Sequence, residues 1–339
     1  ALMAVARGIH HGPIPAPKVR IVCNMNREIL RLAIPNIVSN ISIPLLSTVD
    51  TALMGRLSEL HLGAVGVGAM VFNIVYWNFG FLRMGTTGIT AQAYGRDDRT
   101  ALRHTFVRAV MVALGIALLI LLLQIPLAKA SLYLMNVEDQ QYQLVYEYFM
   151  IRVWAAPASL SLYAFMGWFF GMQNAVFPLI ITLVINVVNI ILSYVLVQYA
   201  GMDVDGVAWG TVVAQYVGLL LAGILFASRY GYLLQTGNET TAEESGWLQW
   251  SAFRQFLSIN GDIFLRTVCL SFAFGFFYSQ SAGFDELTLA VNVILLQFLN
   301  WMSYGVDGFA FASESLVGKY HGASDAKGMN RAIRRRTSN

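Results

Sequence analysis

The chain reads as an all-α membrane protein, a polytopic helical bundle holding a complete six-helix N-terminal lobe and the first two helices of a second, pseudo-symmetric lobe. Three observations lead there. Of 339 residues, 57% are apolar and 12% charged, about half the charge of an ordinary soluble domain, and the mean hydropathy is +0.58. The apolar residues gather into runs longer than the ~20 residues that span a hydrocarbon core. A pattern around residue 95 returns around residue 322. These features exclude a soluble enzyme, a secreted disulfide scaffold and a disordered regulator. Cys23, in a polar leader, and Cys269, in an apolar run, belong to different depths and read as free thiols.

The first 27 residues form the leader. Three prolines, paired His10 and His11 and the lack of an apolar core argue against a signal peptide, and Met25 is the expected natural start. Eight apolar runs follow, at 28–54, 62–93, 104–127, 142–172, 175–199, 204–228, 255–281 and 287–318. They are punctuated by Pro or Gly: Pro35 and Pro44, Gly80 and Gly85, Pro157, Pro178, Gly210 and Gly218. Bent helices beside a cavity and close packing at small residues both account for such positions. Residues 28–229 make the six-helix lobe. Residues 230–252, carrying Glu243, Glu244, Trp247 and Trp250, make a cytoplasmic linker with an interfacial aromatic anchor. Residues 253–339 begin the second lobe with two helices and a basic tail.

Orientation follows from the basic residues. With the N-terminus inside, 17 of the 22 Lys and Arg fall in cytoplasmic segments. The outer connections keep Arg56 and Lys129, and Arg83, Arg152 and Arg266 lie within helices. Both termini are therefore expected in the cytoplasm of a multi-pass inner-membrane protein. The net charge of +3 is spent on this topology and implies no nucleic-acid partner.

The second run ends Gln92-Ala-Tyr-Gly95-Arg-Asp-Asp98 and the eighth Lys319-Tyr-His-Gly322-Ala-Ser-Asp325, with both the Gly and the Asp pairs 227 residues apart. Runs seven and eight thus repeat one and two in the same orientation. Duplicated halves with a site between them are a transporter's architecture. A finished second copy needs about four more helices, so the expectation is a truncated chain or an incomplete gene product.

Five motifs carry a resemblance. Ser47-Thr-Val-Asp50-Thr-Ala-Leu-Met-Gly55, Gly80-Phe-Leu-Arg-Met-Gly-Thr-Thr-Gly88, Gly171-Met-Gln-Asn174 with Pro178, Asp205-Gly-Val-Ala-Trp-Gly-Thr211 and Asp307-Gly-Phe-Ala-Phe-Ala-Ser-Glu314, in this order, resemble the MATE multidrug exporters, in particular their DinF-like branch. The resemblance covers roughly residues 26–335. It implies a twelve-helix exporter of two lobes around a central cavity, driven by inward flow of protons or sodium.

Asp50 is the sharpest candidate residue, five positions before Gly55 and so roughly 8 Å below the outer end of its helix. A carboxylate in hydrocarbon costs about 2.5–3.5 kcal/mol and marks a pathway or a partner; an interfacial Asp near Arg56 is the alternative. Asn36, Asn40, Ser47 and Asp50 share one helical face. Thr182, Asn186, Asn189 and Ser193 do the same in the fifth run, and Thr211 with Gln215 in the sixth. Three polar stripes in one lobe predict a hydrated pocket, with plain interhelical hydrogen bonding the competing account of Asn186 and Asn189.

The resemblance implies a coupling-ion site at Asp50, Asn189, Ser193 and Thr211. Ser193 stands where sodium-binding relatives often carry Asp. With one carboxylate fewer, sodium at Asp50, Asn189 and Thr211 is disfavoured and proton coupling at Asp50 is the expected mode. Proton and a cationic substrate would compete for that one charge.

Arg83, by helix rise about 31 Å from the outer end, is too deep to meet Asp50 and shares its depth with Asp307, with Glu314 further in. Arg83 pairing with Asp307 or Glu314 makes a candidate cytoplasmic gate or a purely structural pair. Asp262 and Arg266, one turn apart, are expected to satisfy each other. No HExxH or other paired metal-ligand spacing, nucleophile elbow or phosphate loop suggests catalysis, a resident metal or a cofactor. The expectation is a monomeric antiporter in the lipid bilayer, coupled to H+ rather than Na+, with a lipophilic organic cation as its small-molecule substrate. A lipid-linked-substrate flippase of the same superfamily and a non-functional truncated product are the rival readings.

Overall fold

The computed structural model describes residues 25–54, 58–233, 250–282 and 286–336. The described residues form twelve α-helices: α1 (Met25–Met54), α2 (Glu59–Asn78), α3 (Phe81–Gly95), α4 (Arg99–Leu122), α5 (Gln124–Leu134), α6 (Asp139–Arg152), α7 (Ala156–Gly171), α8 (Val176–Gln198), α9 (Val204–Tyr230), α10 (Trp250–Ala282), α11 (Glu286–Gly322) and α12 (Ala326–Arg336). Six spans among them are long and apolar enough to cross a membrane: Leu60–Gly95, Arg99–Leu122, Asp139–Gly171, Val176–Gln198, Val204–Leu233 and Phe256–Phe274. The two other predicted crossings are single helices, α1 and α11, each including side chains outside those described.

The prolines and glycines of the crossings divide between the two accounts, bends and close packing. The second is interrupted at Phe79 and Gly80, between α2 and α3, and the fourth passes through a 3₁₀ turn, Val153–Ala155. By contrast α1 runs unbroken past Pro35 and Pro44. Pro178 lies in the first turn of α8, where a missing N–H costs no intrahelical bond. Gly210 and Gly218 lie within the unbroken α9 and admit Ser193 and Ile185 of α8 against its backbone. The third crossing ends at Leu122, and Lys129, assigned to a connection, is in fact within α5. Pro126 occupies the first turn of this new helix. Trp250, assigned to the linker, opens α10, while residues 1–24 and 234–249 lie outside those described.

The bundle is apolar outside and polar at selected inner faces, as a membrane demands. In α8 the outward positions Leu183, Val187 and Ile191 are exposed, whereas Asn186, Asn189 and Ser193 are buried. The contacts Ile185–Gly218, Asn189–Thr211, Ser193–Gly210 and Val197–Gly206 run in opposite senses along α8 and α9, an antiparallel hairpin. Helix α3 packs between α7 and α11, and α1 against α8 and α11.

The duplication is visible atom by atom. After α3, Arg96, Asp97 and Asp98 return their amides to Gln92, Tyr94 and Ala93, and after α11, Ala323, Ser324 and Asp325 return theirs to Lys319, His321 and Tyr320. Asp97 and Ser324 both have φ of 56°, and Asp98 and Asp325 accept the amides of Ala101 and Gly328, each at 2.9 Å, capping α4 and α12. Gly95 and Gly322 are not the turn residues. They are the contact: a Cβ on Gly95 would strike the Lys319 carbonyl, and one on Gly322 the Gln92 carbonyl.

Candidate functional site

The polar side chains of α8 and α9 meet inside the six-helix lobe. Asn189, 1% exposed, donates from Nδ2 to Thr211 Oγ1 at 2.8 Å. Thr211 donates to the Val207 carbonyl at 3.0 Å, one turn back in α9. Ser193, one turn beyond Asn189, is buried directly over Gly210. Its hydroxyl and the Asn189 Oδ1 have no hydrogen-bond partner among the described residues. Orphaned acceptors at this depth are the mark of bound water or of a missing cation or proton donor.

The third participant is Arg152, the last residue of α6, whose Nη1 donates to Thr211 Oγ1 and to the Tyr148 hydroxyl, both at 3.0 Å. The guanidinium faces the rings of Phe72 and Tyr148, with centroids at 5.4 and 5.7 Å, and its buried Nε has no partner among the described residues. A cation at the C-terminal end of α6 is favoured by the helix dipole.

Helix α1 joins the site through Asn186, which donates from Nδ2 to Ser42 Oγ at 2.8 Å. Asn36 and Asn40 are buried on α1, 2% and 7% exposed, and the Asn36 Nδ2 has no partner among the described residues. Ser47 and Asp50 belong to α1, and their side chains lie outside those described. Two stripe members stand apart: Thr182 spends its hydroxyl on the Pro178 carbonyl at 2.9 Å, and Gln215 is half-buried one turn past Thr211.

The gate candidates converge elsewhere, between α3 and α11. The Arg83 guanidinium lies 3.9 Å from the centroid of Phe311. It makes no ion pair within 4.0 Å among the described residues, although Glu314 and Asp307 are within electrostatic reach of it. Glu314 instead borders a cavity of about 430 Å³ with Gly88, Gln92, Ser313 and His321. The expected Asp262–Arg266 pair is also open: Arg266 Nη2 points to Met84 Sδ at 3.9 Å. On this side the turn between α7 and α8 docks onto α11, with Gln173 donating to Ser315 Oγ at 2.6 Å and Ser315 to the Phe170 carbonyl at 2.6 Å.

A MatE family profile matches residues 35–195. DNA damage-inducible protein F of Escherichia coli K12 is 37% identical over 313 residues, which make up 91% of this chain and 67% of that protein. The chain belongs to the MATE family. A probable multidrug resistance protein NorM from Thermotoga maritima is 23% identical over 92% of the chain and 67% of its own length. A solved MOP-superfamily transporter from Pyrococcus furiosus shares the fold, with a TM-score of 0.79 at 20% identity over 91% of this chain and 68% of that one. This MATE chain therefore spans about two thirds of the length of these relatives.

Within the MATE fold, sequence reasoning located the α8–α9 pair but missed Arg152 and Ser42. Arg152 reads as one more intramembrane charge, and its partner Thr211 is 59 residues away. The available signal was a basic residue inside an apolar run, one turn after Tyr148. Ser42 falls outside the face defined by Asn36, Asn40, Ser47 and Asp50.

Proposed function

We propose that this chain is the larger part of an antiporter that exports lipophilic organic cations by alternating access, with the proton as coupling ion at Asp50. The observation that carries this reading is the pair of orphaned acceptors, Asn189 Oδ1 and Ser193 Oγ, buried in an apolar bundle beside α1. The Asn186–Ser42 bond sets the register of α1 against α8. Both helices are odd-numbered crossings, so they run the same way, and position 50, eight residues past Ser42, lies level with Ser193, seven past Asn186. On this reading the Asp50 carboxylate takes up a proton as the pocket closes and loses its water. Protonation removes the charge that holds a cationic substrate, and the substrate leaves. The name of the Thermotoga maritima relative, a probable multidrug resistance protein, fits this cargo. The same reading sets the protein in the inner membrane as a monomer with both termini in the cytoplasm, and gives Arg83, Asp307 and Glu314 the inner gate.

The test is efflux of a cationic dye from proteoliposomes under an imposed pH gradient. Wild-type protein should drive it, and Asp50→Asn should abolish it. Efflux at the wild-type rate in Asp50→Asn would overturn the assignment of the coupling site.

A further inference from the structure

We propose that Arg152 is a resident cation that closes the α8–α9 pocket to sodium, and so is the residue that fixes the ion specificity of this transporter. The inference rests on the export reading above for its biological meaning, but its evidence is the hydrogen-bond arithmetic of one hydroxyl. A threonine oxygen has one proton to give and two lone pairs to receive. Thr211 gives its proton to the Val207 carbonyl and receives from Asn189 Nδ2 and Arg152 Nη1. Nothing remains for a metal ion. Hard cations are held by several oxygen lone pairs and gain from negative charge. Here Asn189 turns its amide nitrogen, a donor, toward the shared point, and Ser193 contributes a neutral hydroxyl. With the Thr211 oxygen used up, the described side chains of the pocket leave sodium two neutral oxygens, Asn189 Oδ1 and Ser193 Oγ, too few for a hard cation that no carboxylate joins there.

The charge that replaces the ion is fixed in place. An arginine does not lose its proton in proteins, and this one is held by the Tyr148 hydroxyl and by the faces of Phe72 and Tyr148, side chains 2% and 1% exposed. A sodium ion seated at Thr211 would sit at contact distance from a permanent like charge in a low-dielectric interior, where repulsion is barely screened. The unpartnered Arg152 Nε points the same way, since the site as built offers a donor and calls for an acceptor. A mobile cation binds and leaves with each cycle, whereas a tethered one supplies the charge throughout and leaves the proton as the species that moves.

The experiment measures sodium binding without transport, using the purified protein in detergent and the thermal midpoint in NaCl against choline chloride and KCl at equal ionic strength. Wild-type protein should show no sodium-specific shift. Arg152→Met frees the Thr211 lone pair, and Arg152→Met with Ser193→Asp also restores a negative ligand; the double variant should gain a sodium-specific rise of about 2 °C or more. A sodium-specific rise in the wild type overturns the proposal, as does a folded double variant that ignores sodium. Should the Met variants fail to fold, Arg152→Gln with Ser193→Asp, which keeps a polar side chain for Tyr148, carries the same expectation, and the wild-type titration still decides. Because no readout involves dye, failure of the export reading and failure of this one are separate results.

Discussion

Thr211 binds three elements through one oxygen, joining α9 to itself, to α8 through Asn189 and to α6 through Arg152. Replacing it with Val keeps the shape and removes the acceptor, leaving an amide and a guanidinium without their shared partner. Each unsatisfied buried donor costs about 1–3 kcal/mol, the charged one more. Thr211→Val should therefore lower thermal stability clearly, and Thr211→Ser, which keeps the hydroxyl, should leave it near wild type. Equal stability of the two variants by differential scanning fluorimetry would show that the hydroxyl is not the hub. Asn189 and Thr211 were legible in the sequence because a polar residue in an apolar run must face inward, and helical spacing says which ones share a face. Arg152 was not. A long side chain at a helix end can reach any of several neighbours, and only the packed fold chooses Thr211 over solvent.

Among the elements, the two turns that follow α3 and α11 show what a repeat encodes. Their backbone bonds, their φ values and their capping aspartates correspond one for one at a spacing of 227 residues. Removing a cap costs about 1 kcal/mol, so Asp98→Ala should lower thermal stability modestly. Gly95→Val is another matter, because its side chain would enter the space of the Lys319 carbonyl. Overpacking at backbone contact costs about 1–3 kcal/mol or more. Gly95→Val should therefore destabilise the protein more than Asp98→Ala, and the reverse order in thermal melts would contradict the assignment of Gly95 to packing. The existence of the repeat was readable from letters alone, since Gly and Asp recur at one spacing. Their division of labour was not: a glycine at a helix end suggests a positive-φ cap, whereas here Asp97 and Ser324 take that conformation and the glycines serve the neighbouring helix. Which crossings bend was not legible for a related reason, because a proline in a first turn and one in mid-helix look the same in a sequence until the helix start is known.

At the scale of the whole molecule, α3 and α11 meet along a close seam in which Gly95 lies against Lys319 and Gly322 against Gln92. Alternating access on the proposed cycle requires such a seam to part at one end while the α8–α9 pocket, wholly within one lobe, keeps its internal bonds. The Arg83 guanidinium against Phe311 and the Glu314 cavity lie along the same seam. A covalent clamp tests this directly. A Cβ built on Gly318 lies 2.8 Å from the Ala91 Cβ, within about 1 Å of the 3.5–4.5 Å separation of a disulfide. Ala91→Cys with Gly318→Cys, in a background where Cys23 and Cys269 are replaced by Ser, should cross-link under mild oxidation and lose dye efflux by at least about tenfold, the loss expected when one of two required states is withheld. Reduction should restore it. Efflux that continues at the wild-type rate with the disulfide fully formed would mean that this seam stays shut throughout the cycle and that the lobes part elsewhere.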